Sequence, residues 1–335
     1  MRYSGKNPRR FHEKYKELNP ERYEADVQKI VASGKTPAGM HRAIMVADVL
    51  QALAPRAGDV VVDCTLGFGG HARAILERIQ PGGRLIGLDV DPIELPRTEA
   101  RLRAGGFGAD LFVAYRSNFA GLPQVLAREG LAGADSLLAD LGVSSMQLDN
   151  PDRGFTYKAA GPLDMRMNPA RGEPASKLLT HLSEDRLARL LEENADEPGA
   201  RMIARALKAQ AITTTEGLCR TVRAAIVAER PQASYADVET SIRRTFQALR
   251  IAVNGEFSAL DTFLRNLPLC LAPGGRVAVL TFHSGEDRRV KKAFEAGHRD
   301  GVYAASADEV IRPSAEEVRA NPRAGSAKLR WAVRS

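Results

Sequence analysis

From residue 59 onward, short apolar runs alternate with amphipathic stretches. Asp59-Val-Val-Val-Asp-Cys64 has the unbroken β-branched run of a strand buried on both faces, and Thr65-Leu-Gly-Phe-Gly-Gly-His71 behind it has the composition of a turn. Ala72 to Ile79 reads as a helix, closed by Pro81-Gly-Gly83. Arg84-Leu-Ile-Gly-Leu-Asp89 is the next strand and Pro92 to Leu102 the next helix, with Leu111–Ala114 and Ser136–Asp140 as two further strands. Strand, helix and strand at this spacing predict βαβ units, and so an α/β fold on a parallel sheet covered on both sides.

The rhythm changes at Asn150. No good strand occurs before about Ala236, whereas 184–193, 200–211 and 216–228 carry helical periodicity, with Thr213-Thr-Thr215 as a helix-start signal. This stretch reads as a helical insertion. A long helix is expected over 238–266, then a Pro273-Gly-Gly275 turn, a strand Arg276–Phe282, and an edge strand in Lys328-Leu-Arg-Trp-Ala-Val-Arg334. The domain plan is therefore a basic arm over 1–37, a sheet domain from 38–149 and 237–335, and an inserted helical domain, 150–236, for substrate recognition.

Composition narrows the classes. With 335 residues and 44% hydrophobic content the chain can bury a full core without disulfides or a structural metal. Cys64, Cys219 and Cys270 are far apart and form no CxxC pair, and the six histidines are scattered, so no metal site is expected. The basic start lacks an apolar stretch behind it and no run approaches a membrane span, so a cytoplasmic protein is expected. Its 48 Lys and Arg against 41 Asp and Glu fit a polyanionic partner such as RNA. Residues 1–37 suit such contact, with Tyr3, Phe11, Tyr15 and Tyr23 among basic residues, and equally suit a solvated helical arm over 11–32.

The strongest chemical signal is strand, glycine turn, helix, strand, acid. Gly67, Gly69 and Gly70 let the backbone approach a ligand, and Asp89, 22 residues after Gly67, can accept both hydroxyls of a bound ribose. Both NAD and S-adenosylmethionine carry such a ribose. The third glycine of a dinucleotide loop is absent, since Ala72 stands there, and Asp63 could face an amino-acid ammonium group or simply bond the turn's N–H groups. Asp140 closes the fourth strand, where open α/β sheets bind ligands. After it, Gly142 allows a bend against a base, while Ser144, Ser145 and Gln147 offer polar groups or a helix cap.

Seven motifs in order resemble one family. They are Asp63-Cys-Thr-Leu-Gly-Phe-Gly-Gly-His71, Asp140-Leu-Gly-Val-Ser-Ser145 with Gln147-Leu-Asp149, Arg153-Gly-Phe155, Gly161-Pro-Leu-Asp-Met-Arg-Met167, Arg244-Thr-Phe-Gln-Ala-Leu-Arg-Ile251, Phe282-His-Ser-Gly-Glu-Asp-Arg288 and Asn321-Pro-Arg-Ala-Gly-Ser-Ala-Lys-Leu-Arg330. The chain from about His41 to Arg330 resembles the MraW/RsmH family, S-adenosylmethionine-dependent 16S rRNA cytosine-N4 methyltransferases. The resemblance implies a class I, Rossmann-like methyltransferase sheet with an inserted helical domain. It further implies cofactor contacts from Gly69, Gly70 and His71, Asp89 on the ribose, Phe119 on the adenine, and Asp140 and Gln147 lining the site. The implied substrate is a decoding-centre cytidine of 16S rRNA in the small ribosomal subunit.

For transfer to N4, Asp140 and the backbone near Gly142 are expected to accept the amino N–H groups, with His283 relaying a proton or touching a phosphate, or else simply packed beside a helix-capping Ser284. Asp164, Arg166, Arg244, Arg250, Asn254, Ser284, Lys328 and Arg330 are the substrate-facing candidates. Arg244 and Arg250 lie six apart on one helix, so one of them is expected to pair with an internal acid. The chain departs from the family's usual pattern at Asn194-Ala-Asp-Glu197 (for Tyr-Gly-Glu-Glu) and at Thr240-Ser-Ile-Arg-Arg-Thr-Phe246 (for His-Pro-Ala-Thr-Arg-Thr-Phe). Asn168, Gly285 and Gly325 also differ from it, and residues 1–37 have no counterpart in it. A paralogue acting on another RNA or a small amine would show such changes, and a non-catalytic RNA-binding module is the other alternative.

Overall fold

A computed structural model describes residues 43–335; the basic arm 1–37 and its helix over 11–32 lie outside the described residues. Chain contacts divide the molecule into two compact units, one holding the residues up to Gly142 together with Ala259–Ser335, the other Val143–Ser258.

The first unit is built on a seven-stranded sheet. Helix α1 (Val46–Leu53) leads to β1 (Val60–Asp63), α2 (Gly70–Ile79), β2 (Arg84–Asp89), α3 (Glu94–Ala104), β3 (Phe112–Arg116), α4 (Leu122–Arg128) and β4 (Ala134–Asp140). The strand order is β3-β2-β1-β4-β5-β7-β6, in which β5 is Leu271–Thr281, β6 Tyr303–Ser306 and β7 Lys328–Arg334. The strands from β3 to β5 run parallel, and β7 enters antiparallel between β5 and β6. Alternate strand residues enter two cores. Val62, Ile86, Leu137 and Val277 join one, while Val61, Leu85, Leu138 and Ala278 join the other. Burial on both faces is why these strands read as continuous apolar runs rather than alternating ones.

Two expectations at the C-terminal side are corrected. The Pro273-Gly-Gly275 segment does not end an element. It lies within β5, where Ala134 pairs with Leu271 and Ser136 already pairs with Arg276, so the extra residues bulge out at Gly274, whose φ is 76°. Lys328–Arg334 is not the edge. The edge is the short β6, which follows the Gly301 turn and pairs with β7.

In the second unit, α5 (Ser145–Asp149) is followed by α6 (Ala175–His181), α7 (Glu184–Ala195), α8 (Ala200–Lys208), α9 (Thr215–Glu229) and α10 (Tyr235–Asn254) around one apolar core. Thr214 caps α9 by accepting from the Gly217 N–H, which uses the threonine run as its composition suggested. The long helix expected over 238–266 is two helices, α10 and α11 (Glu256–Cys270). They part at Gly255, which adopts φ 60° and ends α10 as a left-handed cap. The second unit therefore runs on through α10 to Ser258 and begins at Val143, wider than the 150–236 span of strand-free sequence. Among the described residues no helix is long and apolar enough to cross a membrane.

Candidate active site

The order in which the chain adds strands reverses between the parallel neighbours β1 and β4, and ligands of open α/β sheets bind outside the carboxyl ends of the strands at that point. Three adjacent strands end there in aspartates: Asp89 on β2, Asp63 on β1 and Asp140 on β4. Asp89 takes the Gly67 N–H on Oδ2 (2.8 Å) and the Asp91 N–H on Oδ1 (2.8 Å), which aims its carboxylate and leaves lone pairs for a ligand. Asp63 is 1% exposed and accepts the Thr65 N–H at 3.1 Å. Burial pushes its carboxyl up to about 6, with His71 partly opposing.

His71 is buried at the start of α2, and its Nε2 lies 2.9 Å from the Ile44 carbonyl. A carbonyl only accepts, so Nε2 carries the proton and Nδ1 faces Asp140 Oδ2 at 3.6 Å. Burial lowers the imidazole's basicity, and burial first, then Glu286, pushes the Asp140 carboxyl up to about 7. The backbone N–H of Asp140 is held by Thr65 Oγ1 at 2.6 Å. Its Oδ1 is buried without a hydrogen-bond partner among the described residues. An unpartnered buried carboxylate oxygen is costly, and a ligand N–H or O–H would satisfy it.

The glycines divide their roles. Gly67 (φ 49°) and Gly69 (φ 83°) adopt left-handed backbone, while Gly70 is small because a Cβ there would lie 2.8 Å from that of Ala43. Phe119 follows β3 in a short 3-10 turn capped by Asn118 and meets Phe263 edge-on, centroids 5.4 Å apart. Two residues earlier, the Ser117 N–H bonds the Asp89 carbonyl, which sets Phe119 close to Asp89. Gly142 bends with φ 95°, and a Cβ there would meet only Phe282, at 3.9 Å. Gln147 belongs to the second unit, where its side chain accepts the Ser144 N–H in a capping box. That Ser-x-x-Gln signature is legible in the sequence.

His283 is the N-cap of α12 (Ser284–Arg299): Nδ1 accepts the Glu286 N–H, and Nε2 lies 3.1 Å from the Glu286 carboxylate. Both ring nitrogens thus face Glu286, and the cap is His283 rather than the exposed Ser284. Sequence reading missed Thr65 and Glu286. Glu286, three residues past the cap, also takes the N–H of Phe282, the residue before the cap, at 2.9 Å.

Most substrate-facing candidates are engaged internally. Arg330 is buried and donates through Nε to Asp287 Oδ1 at 2.7 Å, and Lys328 reaches Asp287 Oδ2 at 2.8 Å. Arg250 pairs with Glu256 through two bonds of 2.9 and 2.8 Å, the internal acid expected for one of the two arginines. Asp164 and Arg166 form a bidentate pair at 2.8 and 2.7 Å. Arg244 is half-buried, with no ion pair among the described residues.

Asn254 clamps the Met165–Met167 loop. It accepts the Met167 N–H at 2.7 Å and donates to the Met165 carbonyl at 2.8 Å, across a buried Met165 held at φ 64°. Asn254→Ala is expected to cost about 1–3 kcal/mol in chemical denaturation. It should leave the salt dependence of any nucleic-acid binding unchanged, whereas a phosphate contact would show the opposite pattern.

The two stretches that depart from the family pattern meet each other. Asn194 donates to the Ala248 carbonyl at 3.1 Å, and the hydroxyl of Ser241, where the family has proline, donates to the buried Glu197 at 3.0 Å. Asn194 and Ser241 are thus engaged in the α7–α10 packing, whereas Asp196 and Arg243 of the same stretches are exposed.

A parallel sheet carrying three strand-end acids, a glycine loop opening a helix, and an antiparallel strand inserted next to the edge define a class I methyltransferase. The chain matches the MraW methylase family over residues 38–335 and belongs to it. It is an S-adenosylmethionine-dependent methyltransferase. It is 46% identical to "Ribosomal RNA small subunit methyltransferase H 1" of Agathobacter rectalis, covering 100% of this chain and 97% of that protein. It is 47% identical to "Ribosomal RNA small subunit methyltransferase H 2" of Alkaliphilus metalliredigens, again over 100% and 97%. The "Ribosomal RNA small subunit methyltransferase H" of Anaeromyxobacter sp. (strain Fw109-5) is 44% identical over 87% of this chain and 96% of its own length. The family match begins at 38, yet the first two relatives run the full length of the chain. Residues 1–37 therefore do have counterparts, in relatives whose names carry a copy number.

Proposed function

We propose that the chain methylates the N4 amino group of a decoding-centre cytidine in 16S rRNA, within the small ribosomal subunit. Full-length likeness to two proteins named as small-subunit rRNA methyltransferases supports the substrate class. The single observation that carries the site is the Oδ1 of Asp140 at the end of β4, buried with no hydrogen-bond partner among the described residues.

The residues fit the cofactor. Asp89 would accept the ribose hydroxyls, Phe119 would pack on the adenine, Asp63 would face the ammonium group, and Gly67, Gly69, Gly70 and His71 would border it. Gln147 remains a proposed cofactor contact through its amide. When bound, S-adenosylmethionine supplies a methyl group already activated by its sulfonium, so the chain's task is alignment. Cytosine N4 is a weak nucleophile because its lone pair is delocalised into the ring. Asp140 Oδ1, with the carbonyl groups at the Gly142 bend, would accept its N–H groups, favour pyramidalisation and take up the proton released. The base must be unpaired or flipped to reach them. His283, beside Glu286 at the start of α12, remains the proposed proton relay. The helical unit would recognise substrate, with Arg244 the candidate cation there that no ion pair among the described residues engages, and Ser284 an exposed contact on the sheet unit.

The test is labelled S-adenosylmethionine with small subunits lacking this modification, followed by nucleoside analysis. Label in N4-methylcytidine at one position is expected. Label elsewhere, or none despite bound cofactor, would overturn the substrate and favour another RNA or a small amine.

A further inference from the structure

The glycine loop does not hold itself in place. Gly67 is fixed at both of its backbone groups: its N–H by Asp89 Oδ2, and its carbonyl by the Thr98 hydroxyl at 2.6 Å. Thr98 is fully buried on α3 and accepts a second bond from Arg101 Nη2 at 2.7 Å. The same Arg101 nitrogen donates to the Phe68 carbonyl at 3.2 Å, and the guanidinium lies 3.6 Å from the centroid of the Phe68 ring. Gly69 closes the turn by donating to the Leu66 carbonyl, and the site of its missing Cβ is 2.9 Å from Thr98 Cγ2. Thr98 and Arg101 are three apart on one helix, so both reach the loop from the same face.

We infer that Thr98 and Arg101 are positioning residues for S-adenosylmethionine: they latch the Gly67–Gly69 loop to α3 and so hold Asp89 and the loop in one register. The physical logic is preorganisation. A loop that must order itself when the cofactor arrives loses affinity by the cost of that ordering, and a loop already bonded at Gly67 and Phe68 does not. The arrangement also joins the loop to the acid, because the Gly67 N–H is one of the bonds that aims the Asp89 carboxylate. A shift of the loop therefore misaims the ribose contact as well. The inference rests on the cofactor role of this loop and not on which nucleic acid is methylated.

Two substitutions of one residue separate hydroxyl from packing. Thr98→Val keeps the shape and loses the hydroxyl, and Thr98→Ser keeps the hydroxyl and loses the methyl. In calorimetry of the full chain with S-adenosylhomocysteine, Thr98→Val is expected to bind about tenfold more weakly, the scale of one lost buried hydrogen bond. Thr98→Ser should stay within about twofold of the parent protein. In the cofactor-free protein, the Gly67 and Gly69 amides should exchange faster in Thr98→Val alone. Arg101→Lys, which keeps the charge and loses the planar stack, should weaken binding in the same direction and serves if Thr98→Val does not fold. Parent-like affinity and exchange in Thr98→Val, equal losses in the valine and serine variants, or a lowered melting temperature with unchanged affinity would each overturn the latch. No RNA enters these measurements, so their failure leaves the substrate reading untouched.

Discussion

Replacing Asp140 with asparagine is expected to lower the methyl-transfer rate at saturating cofactor by about 10²–10⁴-fold, the usual worth of a positioned proton acceptor. Asparagine keeps an oxygen that can accept an N–H bond but cannot take up the proton that N4 releases. The pH dependence gives a second reading of the same residue. Burial, then the Glu286 charge, raises the carboxyl to about 7, so below that value the group is protonated and cannot serve as the acceptor. The parent rate should rise with pH through about 7 and level off above it, while the variant's residual rate stays flat across that window. A parent profile flat from pH 6 to 8, or a variant with full turnover, would remove Asp140 from the chemistry.

Stability should move in the opposite direction. An acid whose folded value lies above its unfolded one binds its proton more tightly when folded, so stability falls as pH rises from about 4 to about 7. At pH 8 the parent carries the cost of an ionised, largely buried carboxylate that asparagine does not have. The variant should melt higher at pH 8, and the gain should shrink toward pH 4. A scan of melting temperature against pH checks this.

Asp287→Ala should give the largest loss of stability, about 3–5 kcal/mol, because it leaves a buried guanidinium without its counter-charge. Arg330 is 7% exposed on β7, and Asp287 holds both it and Lys328. Burial alone would raise the Asp287 carboxyl, but the bonds from Arg330 and Lys328 outweigh it and hold the value below the usual aspartate range. A depressed acid contributes stability above its unfolded value and loses it as pH falls through the folded one. The parent–variant difference measured by urea denaturation should therefore be full at pH 7 and diminish only in acid. A loss under 1 kcal/mol would mean that Arg330 finds water or another partner.

Much of the sheet unit is legible in the chain because its signals are local. Arg84–Asp89 was read as a strand to the residue, and β1 and α2 to within two. Strands buried on both faces announce themselves as apolar runs, and the acid at each strand end follows directly. The cap at Thr214 and the capping box at Ser144 are equally short-range. The helix break at Gly255 was also within reach, since Asn-Gly after an apolar helix face is a stop signal.

Other features depend on residues far apart in the chain. Nothing near Tyr303 says that β6 forms the edge, because its place depends on β7 pairing with β5 on the opposite side. Lys328 and Arg330 read as RNA-facing cations until Asp287, more than 40 residues earlier, is brought against them. That Glu286 lies against both ring nitrogens of His283 appears only once the turn of α12 forms.

The amino-acid sequence by itself determined the family, the α/β class, the helical insertion and the acids at Asp63, Asp89 and Asp140, because periodicity and motif are properties of neighbouring residues. Only the tertiary structure decided which charges are committed and which remain available. The state of a charge depends on its burial and on its partner, and both are set when the chain brings distant residues together.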